Sequence, residues 1–153
     1  MKLLHSLILT PMLAGSADAK PVDEAKALFK AFIPKIEASN PEETIQMGNA
    51  IAGDLNGDGK QDVIISFVGT PKEGGNAVLS SGHAVYLQKN AKMRVAGELK
   101  LDCGARIDRI TKGKIVVTYT DCSPPYLEEK FTQEFAWKDG KATPTSEKHK
   151  IKR

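Results

Sequence analysis

The sequence predicts an α+β domain, mostly β, in which one N-terminal amphipathic helix packs on an antiparallel meander sheet of about seven strands. Three observations carry this. Apolar residues recur every three to four positions only in residues 21–38, and from Thr44 onward the period is two. Between the alternating runs stand Lys89-Asn90-Ala91-Lys92, Thr111-Lys112-Gly113-Lys114 and Lys138-Asp139-Gly140-Lys141, each a tight hairpin-turn signal. Connections this short join antiparallel neighbours, because a parallel pair needs a crossover of a dozen or more residues.

Taken in order, residues 1–19 read as an export signal. Lys2 supplies the positive start, Leu3 to Leu13 a short apolar run, and Ala17-Asp18-Ala19 small residues at both recognition positions before Lys20. The run is broken by His5, Ser6 and Pro11 and is too short to cross a bilayer as a helix. No cysteine lies near the cleavage point to carry a lipid anchor. The expectation is a periplasmic or secreted protein with no membrane span. Residues 20–147 form a single domain and residues 148–153 a short basic tail, expected to be a frayed, solvated end. The net charge of +3 is spread evenly, which argues against nucleic acid as a partner.

In residues 21–38, Val22, Ala25, Leu28, Phe29, Phe32, Ile33 and Ile36 make one apolar face. Pro34 lacks a backbone donor and crowds the preceding turn, so the helix is expected to end or kink near Ile33. Downstream, Met93, Val95, Gly97, Leu99 and Leu101 alternate with polar residues and predict one half-buried strand face. Ile115, Val117 and Tyr119 form a second such face, and Phe131, Phe135 and Trp137 a third. Two segments stand outside the meander: the Gly- and Ser-rich stretch from Thr70 to Gly82, and Asp121 to Leu127 with its two prolines. Long loops in a compact domain are functional or mobile, so these are the expected recognition surfaces.

The chain has two cysteines, Cys103 and Cys122. Behind an export signal the default is a disulfide. With Lys112-Gly113 as the turn, residues facing each other across the hairpin have numbers summing to 225, and Cys103 and Cys122 satisfy that sum. A bulge would shift the register by one residue. Closing a loop of this length stabilises a fold by roughly 3 kcal/mol in the chain-entropy model.

One constellation carries chemistry. In Gly53-Asp54-Leu55-Asn56-Gly57-Asp58-Gly59-Lys60-Gln61-Asp62, side-chain oxygens fall at Asp54, Asn56, Asp58 and Asp62, loop positions one, three, five and nine. Gly59 permits the sharp reversal that turns the preceding oxygens toward one centre, and the Lys60 carbonyl is a further ligand. A hard cation such as calcium takes six to eight oxygens in a forgiving geometry, so calcium is the expected cofactor. An EF-hand is excluded, because its bidentate Glu at position twelve is here Ile65, inside the apolar run Val63-Ile64-Ile65. The same residues also suit an ordinary Asx-type turn between strands.

The loop resembles the FG-GAP or VCBS-type repeat, whose D-x-[DN]-x-D-G-x-x-D pattern Asp54, Asn56, Asp58, Gly59 and Asp62 match throughout. The resemblance covers about twenty-five residues, from Thr44 to Val68, and occurs once. It implies calcium held by Asp54, Asn56, Asp58, the Lys60 carbonyl and Asp62 between two strands. It does not imply a propeller, which needs repeated blades. The wider arrangement is similar to exported bacterial proteins that carry a lone VCBS-like segment.

No nucleophile–base set is visible. His83 reads as a surface or hydrogen-bonded residue, Ser80 and Ser81 lack a nucleophile-elbow context, and Glu128 and Glu129 point to opposite faces of a strand. The chain is expected not to be an enzyme. Its leading function is an exported calcium-stabilised domain that binds a protein partner through neighbouring loops, the ion being structural. The alternative is a periplasmic inhibitor or immunity protein against a cell-wall hydrolase or secreted toxin. Ser81-Gly82-His83-Ala84-Val85-Tyr86 resembles the Ser-Gly-x-x-Tyr inhibitory loop of periplasmic lysozyme inhibitors, with one residue more between its ends. A third class is a purely structural part of an envelope assembly.

Overall fold

A computed structural model describes residues 19–120 and 129–151. Helix α1 (Ala19–Ser39) is followed by β1 (Glu43–Gly53), β2 (Asp62–Pro71), β3 (Ser80–Lys89) and β4 (Lys92–Glu98), which form one antiparallel sheet in chain order. β5 (Ala105–Thr111), β6 (Lys114–Thr120), β7 (Lys130–Lys138) and β8 (Lys141–Pro144) form a second, with β9 (His149–Lys150) also paired to β7. The fold is α+β and mostly β. The single meander of about seven strands is corrected to nine strands in two sheets among the described residues.

The physical reason lies in β2. Val63, Ile64 and Ile65 are consecutive and all fully buried, although successive side chains of a strand leave on opposite faces. Each face therefore has its own cover. Val63 and Ile65 join Ala25, Phe29, Ile45, Tyr86 and Met93 in a core beneath α1. Ile64 joins Val85, Leu99, Ile107, Ile115, Val117, Phe135 and Trp137 in a core between the sheets. The layers run helix, first sheet, second sheet. Burying a side chain such as Phe29 or Ile64 contributes about 1.5–3 kcal/mol each.

Of the predicted helix face, Ala25 and Phe29 are fully buried and Val22, Ile33 and Ile36 pack against the same core, whereas Leu28 (36%) and Phe32 (40%) are exposed, and the helix does not end at Ile33. It continues through Pro34 to Ser39. Pro34 and Lys30, whose carbonyl loses its helical donor, are both exposed, so water can serve that carbonyl. The helix closes at Asn40, whose backbone N–H donates to the Ile36 and Glu37 carbonyls while its side-chain amide donates to the Ile36 carbonyl.

The three predicted hairpin turns are present. Asn90, Ala91, Lys112 and Asp139 have positive φ beside Gly113 and Gly140, the backbone a two-residue hairpin requires. Bulges account for two further corrections. In β4 the register moves from Gly97 opposite Val85 to Val95 opposite Tyr86, so the strand changes face at Ala96. Met93 consequently packs under the helix, Leu99 between the sheets, and Val95 is 60% exposed. In the β5–β6 hairpin, pairs sum to 225 from Thr111–Lys114 to Arg109–Val116, and to 224 beyond the bulge at Asp108. Cys103 lies in a turn outside the ladder and is not a free thiol. The Cys103–Cys122 pairing rests on Cys122, which lies outside the described residues, as do the signal segment 1–18 and residues 121–128.

The basic tail is not frayed through Ile151. Lys148 meets Asp102 at 3.0 Å and sits 4.5 Å from the Tyr119 ring centroid, and the Ile151 N–H donates to the Lys130 carbonyl. Among the described residues no helix is long and apolar enough to cross a membrane.

Candidate metal-binding loop

The Asp54–Asp62 loop joins β1 to β2 at the end of the first sheet. Its conformation follows from its short polar side chains. The Asp54 carboxylate accepts N–H bonds from Gly57 (2.7 Å) and Asp58 (3.1 Å) through Oδ1 and from Gly59 (2.9 Å) through Oδ2. Asn56 Oδ1 accepts from Asp58 N–H and Asp58 Oδ1 from Lys60 N–H. Gly57 and Gly59 adopt φ of 79° and 77°, which a side chain would strain. Asn56 and Asp58 are exposed, whereas Asp62 is fully buried.

Asp62 does structural work that its place in the motif did not suggest. Its Oδ2 accepts the Leu55 N–H at 3.0 Å and its Oδ1 the Gln88 N–H at 2.9 Å, which ties the loop to the end of β3. Leu55, between two ligand positions, is itself fully buried in the core between the sheets. Its apolar character inside a polar loop is the signal that could have revealed this anchor. The Asp54 carbonyl accepts the Gly113 N–H at 2.9 Å from the β5–β6 turn, and Gly53 lies so close to β5 that a Cβ there would sit 2.6 Å from the Ile110 Cβ. The loop is thereby bonded to both sheets.

Electrostatically the loop is crowded. Burial raises the Asp62 carboxyl above the usual carboxylate range, and the charges of Asp58 and Asp54 raise it further against its two backbone hydrogen bonds. The Lys60 N–H bond and, to a lesser degree, the Lys60 ammonium hold Asp58 below that range. That ammonium lies 3.5 Å from Asp58 Oδ2, in the solvent-exposed part of the loop.

The donor set fits a hard divalent cation in kind: all ligand atoms are oxygens, three of the residues are anionic, and each Asp62 oxygen accepts one N–H where about two acceptor positions exist. In arrangement it is open. Among the described residues no three His, Cys, Asp or Glu side chains converge as a group that could hold a metal ion.

The other residues singled out in the sequence fall elsewhere. His83 Nδ1 is 2.8 Å from Ser66 Oγ across β2 and β3, and burial lowers its pKa. Residues 81–86 are part of β3, paired on one side with β2 and from Ala84 on the other with β4. They do not protrude as an inhibitory loop would. The Gly- and Ser-rich segment is shorter than expected, spanning residues 72–79 between β2 and β3, and it exposes Val78 (61%) and Leu79 (52%).

Comparison with protein-family models, curated proteins and solved structures finds no match.

Proposed function

We propose that this chain is an exported calcium-binding domain of the FG-GAP/VCBS type, in which the ion is structural and the domain binds a protein partner rather than catalysing a reaction. The single observation that supports it most is the loop's position. It is bonded to β3 through the Asp62 carboxylate and to the β5–β6 turn through the Asp54 carbonyl, and its three carboxylates lie in one nine-residue turn. An ion held by Asp54, Asn56, Asp58, the Lys60 carbonyl and Asp62 would offset their repulsion and stiffen the joint between the sheets. The Cys103–Cys122 disulfide belongs to the same reading, as a second restraint suited to a periplasmic or secreted setting. For the partner, exposed Val78 and Leu79 on residues 72–79 provide an apolar contact pair beside Gly74 and Gly75.

Calorimetric titration of the purified chain with calcium, beside Asp58→Ala, tests the ion. Heat of binding and a rise in melting temperature are expected for the parent chain, with both reduced in the variant. An absence of heat together with an unchanged melting temperature would overturn the reading.

A further inference from the structure

A second site lies on the opposite side of the first sheet. A cavity of about 420 Å³ opens between α1 and the β3–β4 half of the sheet, within the size range of small-molecule pockets. Phe29, Phe32, Phe67 and Tyr86 line it, together with Val95 and Glu98. Phe29 and Tyr86 are sealed from solvent and lie deepest, whereas Phe32 at 40% and Val95 at 60% exposed open outward. The Phe29 and Phe67 ring centroids are 5.2 Å apart.

One feature selects the charge of an occupant. It is the setting of Glu98, the one charged residue of the lining among the described residues. It reaches over Gly82, where a Cβ would lie 3.1 Å from its Oε1 and 2.4 Å from the tip of the Phe67 ring. The bare glycine thus lets a carboxylate and an aromatic ring converge on one spot of the pocket wall. The Phe32 ring is not free for a second cation, because the Lys35 ammonium lies 5.5 Å from its centroid, outside the lining. Aromatic faces carry negative potential and attract cations, most strongly where water is displaced. A carboxylate at the same place excludes anions and gives no advantage to neutral molecules.

We propose that this pocket binds a small organic ammonium ion bearing an apolar substituent, with the ring of Phe67 against the cation and Glu98 as its counter-charge. The bulge at Ala96 contributes by placing Val95 on this side of β4, at the outer edge of the cavity. The site is independent of the calcium loop, since none of the loop residues lines it.

The test is NMR titration of the full chain with benzyltrimethylammonium and, in dilute dimethyl sulfoxide, with neopentylbenzene, its uncharged carbon isostere. Saturable shifts confined to residues around Phe32, Phe67 and Val95 are expected for the cation, with at least tenfold tighter binding than for the isostere. Glu98→Gln, at an exposed position, is expected to weaken the cation several-fold and leave the isostere unchanged, whereas Phe32→Leu is expected to affect the two probes alike. Equal binding of both probes would overturn the proposal in favour of a purely apolar cleft. No binding of the cation, or shifts that map elsewhere, would overturn it outright. Folding of each variant is checked from its spectrum before titration.

Discussion

The Asp62 carboxylate, fully buried at the start of β2, accepts the backbone N–H of Gln88 near the end of β3 at 2.9 Å. With its second bond, to the Leu55 N–H, one side chain fixes both the entrance of the loop and the neighbouring strand. Asp62→Ala removes two acceptors at once. A buried donor left without a partner costs about 1–3 kcal/mol, so the variant is expected to lose roughly 2–5 kcal/mol in urea denaturation. Asp62→Asn keeps one acceptor oxygen and should lose distinctly less. Equal losses would show that carboxylate charge, not hydrogen bonding, is what the site uses.

Leu55 tests whether the loop is part of the core. Leu55→Ala deletes a fully buried side chain from the core between the sheets and is expected to cost about 2–5 kcal/mol. The loop is pinned at its other end by backbone proximity. Gly53→Ala places a Cβ 2.6 Å from the Ile110 Cβ and is expected to cost roughly 1–3 kcal/mol through overpacking. Thermal denaturation of the two variants checks both. A surface loop without these anchors would leave the melting temperature within a degree or so of the parent chain.

His83 sets a pH dependence. Burial lowers its pKa below 6.5, so between that lowered value and 6.5 the unfolded chain binds more protons than the folded one. Stability therefore rises with pH through this window and is lost as pH falls below 6.5. The contact between Nδ1 and Ser66 Oγ persists on protonation, when Nδ1–H donates to the hydroxyl oxygen, which leaves desolvation as the source of the loss. His83→Gln should flatten the stability profile across the window. An unchanged profile in that variant would assign the slope to other groups.

Calcium linkage gives a measure of the proposed ion that does not depend on heat. At free calcium a hundredfold above its dissociation constant, a ligand that binds only the folded chain adds about 2.7 kcal/mol. Chelator-treated protein should unfold at correspondingly lower urea, and Asn56→Ala should narrow the gap between the two curves. Identical curves with calcium and chelator would remove the ion from the account of stability.

Much of this architecture is readable in the residues. The helix face through Ala25 and Phe29, the hairpin turns at Asn90, Lys112 and Asp139, and the alternation of Ile115, Val117 and Tyr119 are local patterns, and local geometry decides them. What escaped is decided by tertiary surroundings. Pro34 stays inside a helix because its turn faces water. Met93 and Leu99 share a period-two pattern yet enter different cores, because the bulge at Ala96 inverts the face between them. The run Val63-Ile64-Ile65 announced a strand covered on both sides, and an antiparallel sheet made that easy to overlook. In the loop, the spacing of the oxygen-bearing side chains was visible, whereas the anchoring depends on residues remote in the chain: Gly113 for Asp54, Gln88 for Asp62, and Phe135 and Trp137 in the core that holds Leu55. The aromatic cavity draws on α1, β2, β3 and β4 together and has no linear signature.

The double burial of β2 has a kinetic meaning. A strand that is one wall of two cores can release its amide hydrogens only when both cores open, so Ile64 and Ile65 should exchange with solvent through complete unfolding alone. Strands β8 and β9, at an edge of the second sheet, can open locally. The molecule is then two cooperative units hinged on a shared partition, and exchange rates along β2 read out the total free energy that holds them together.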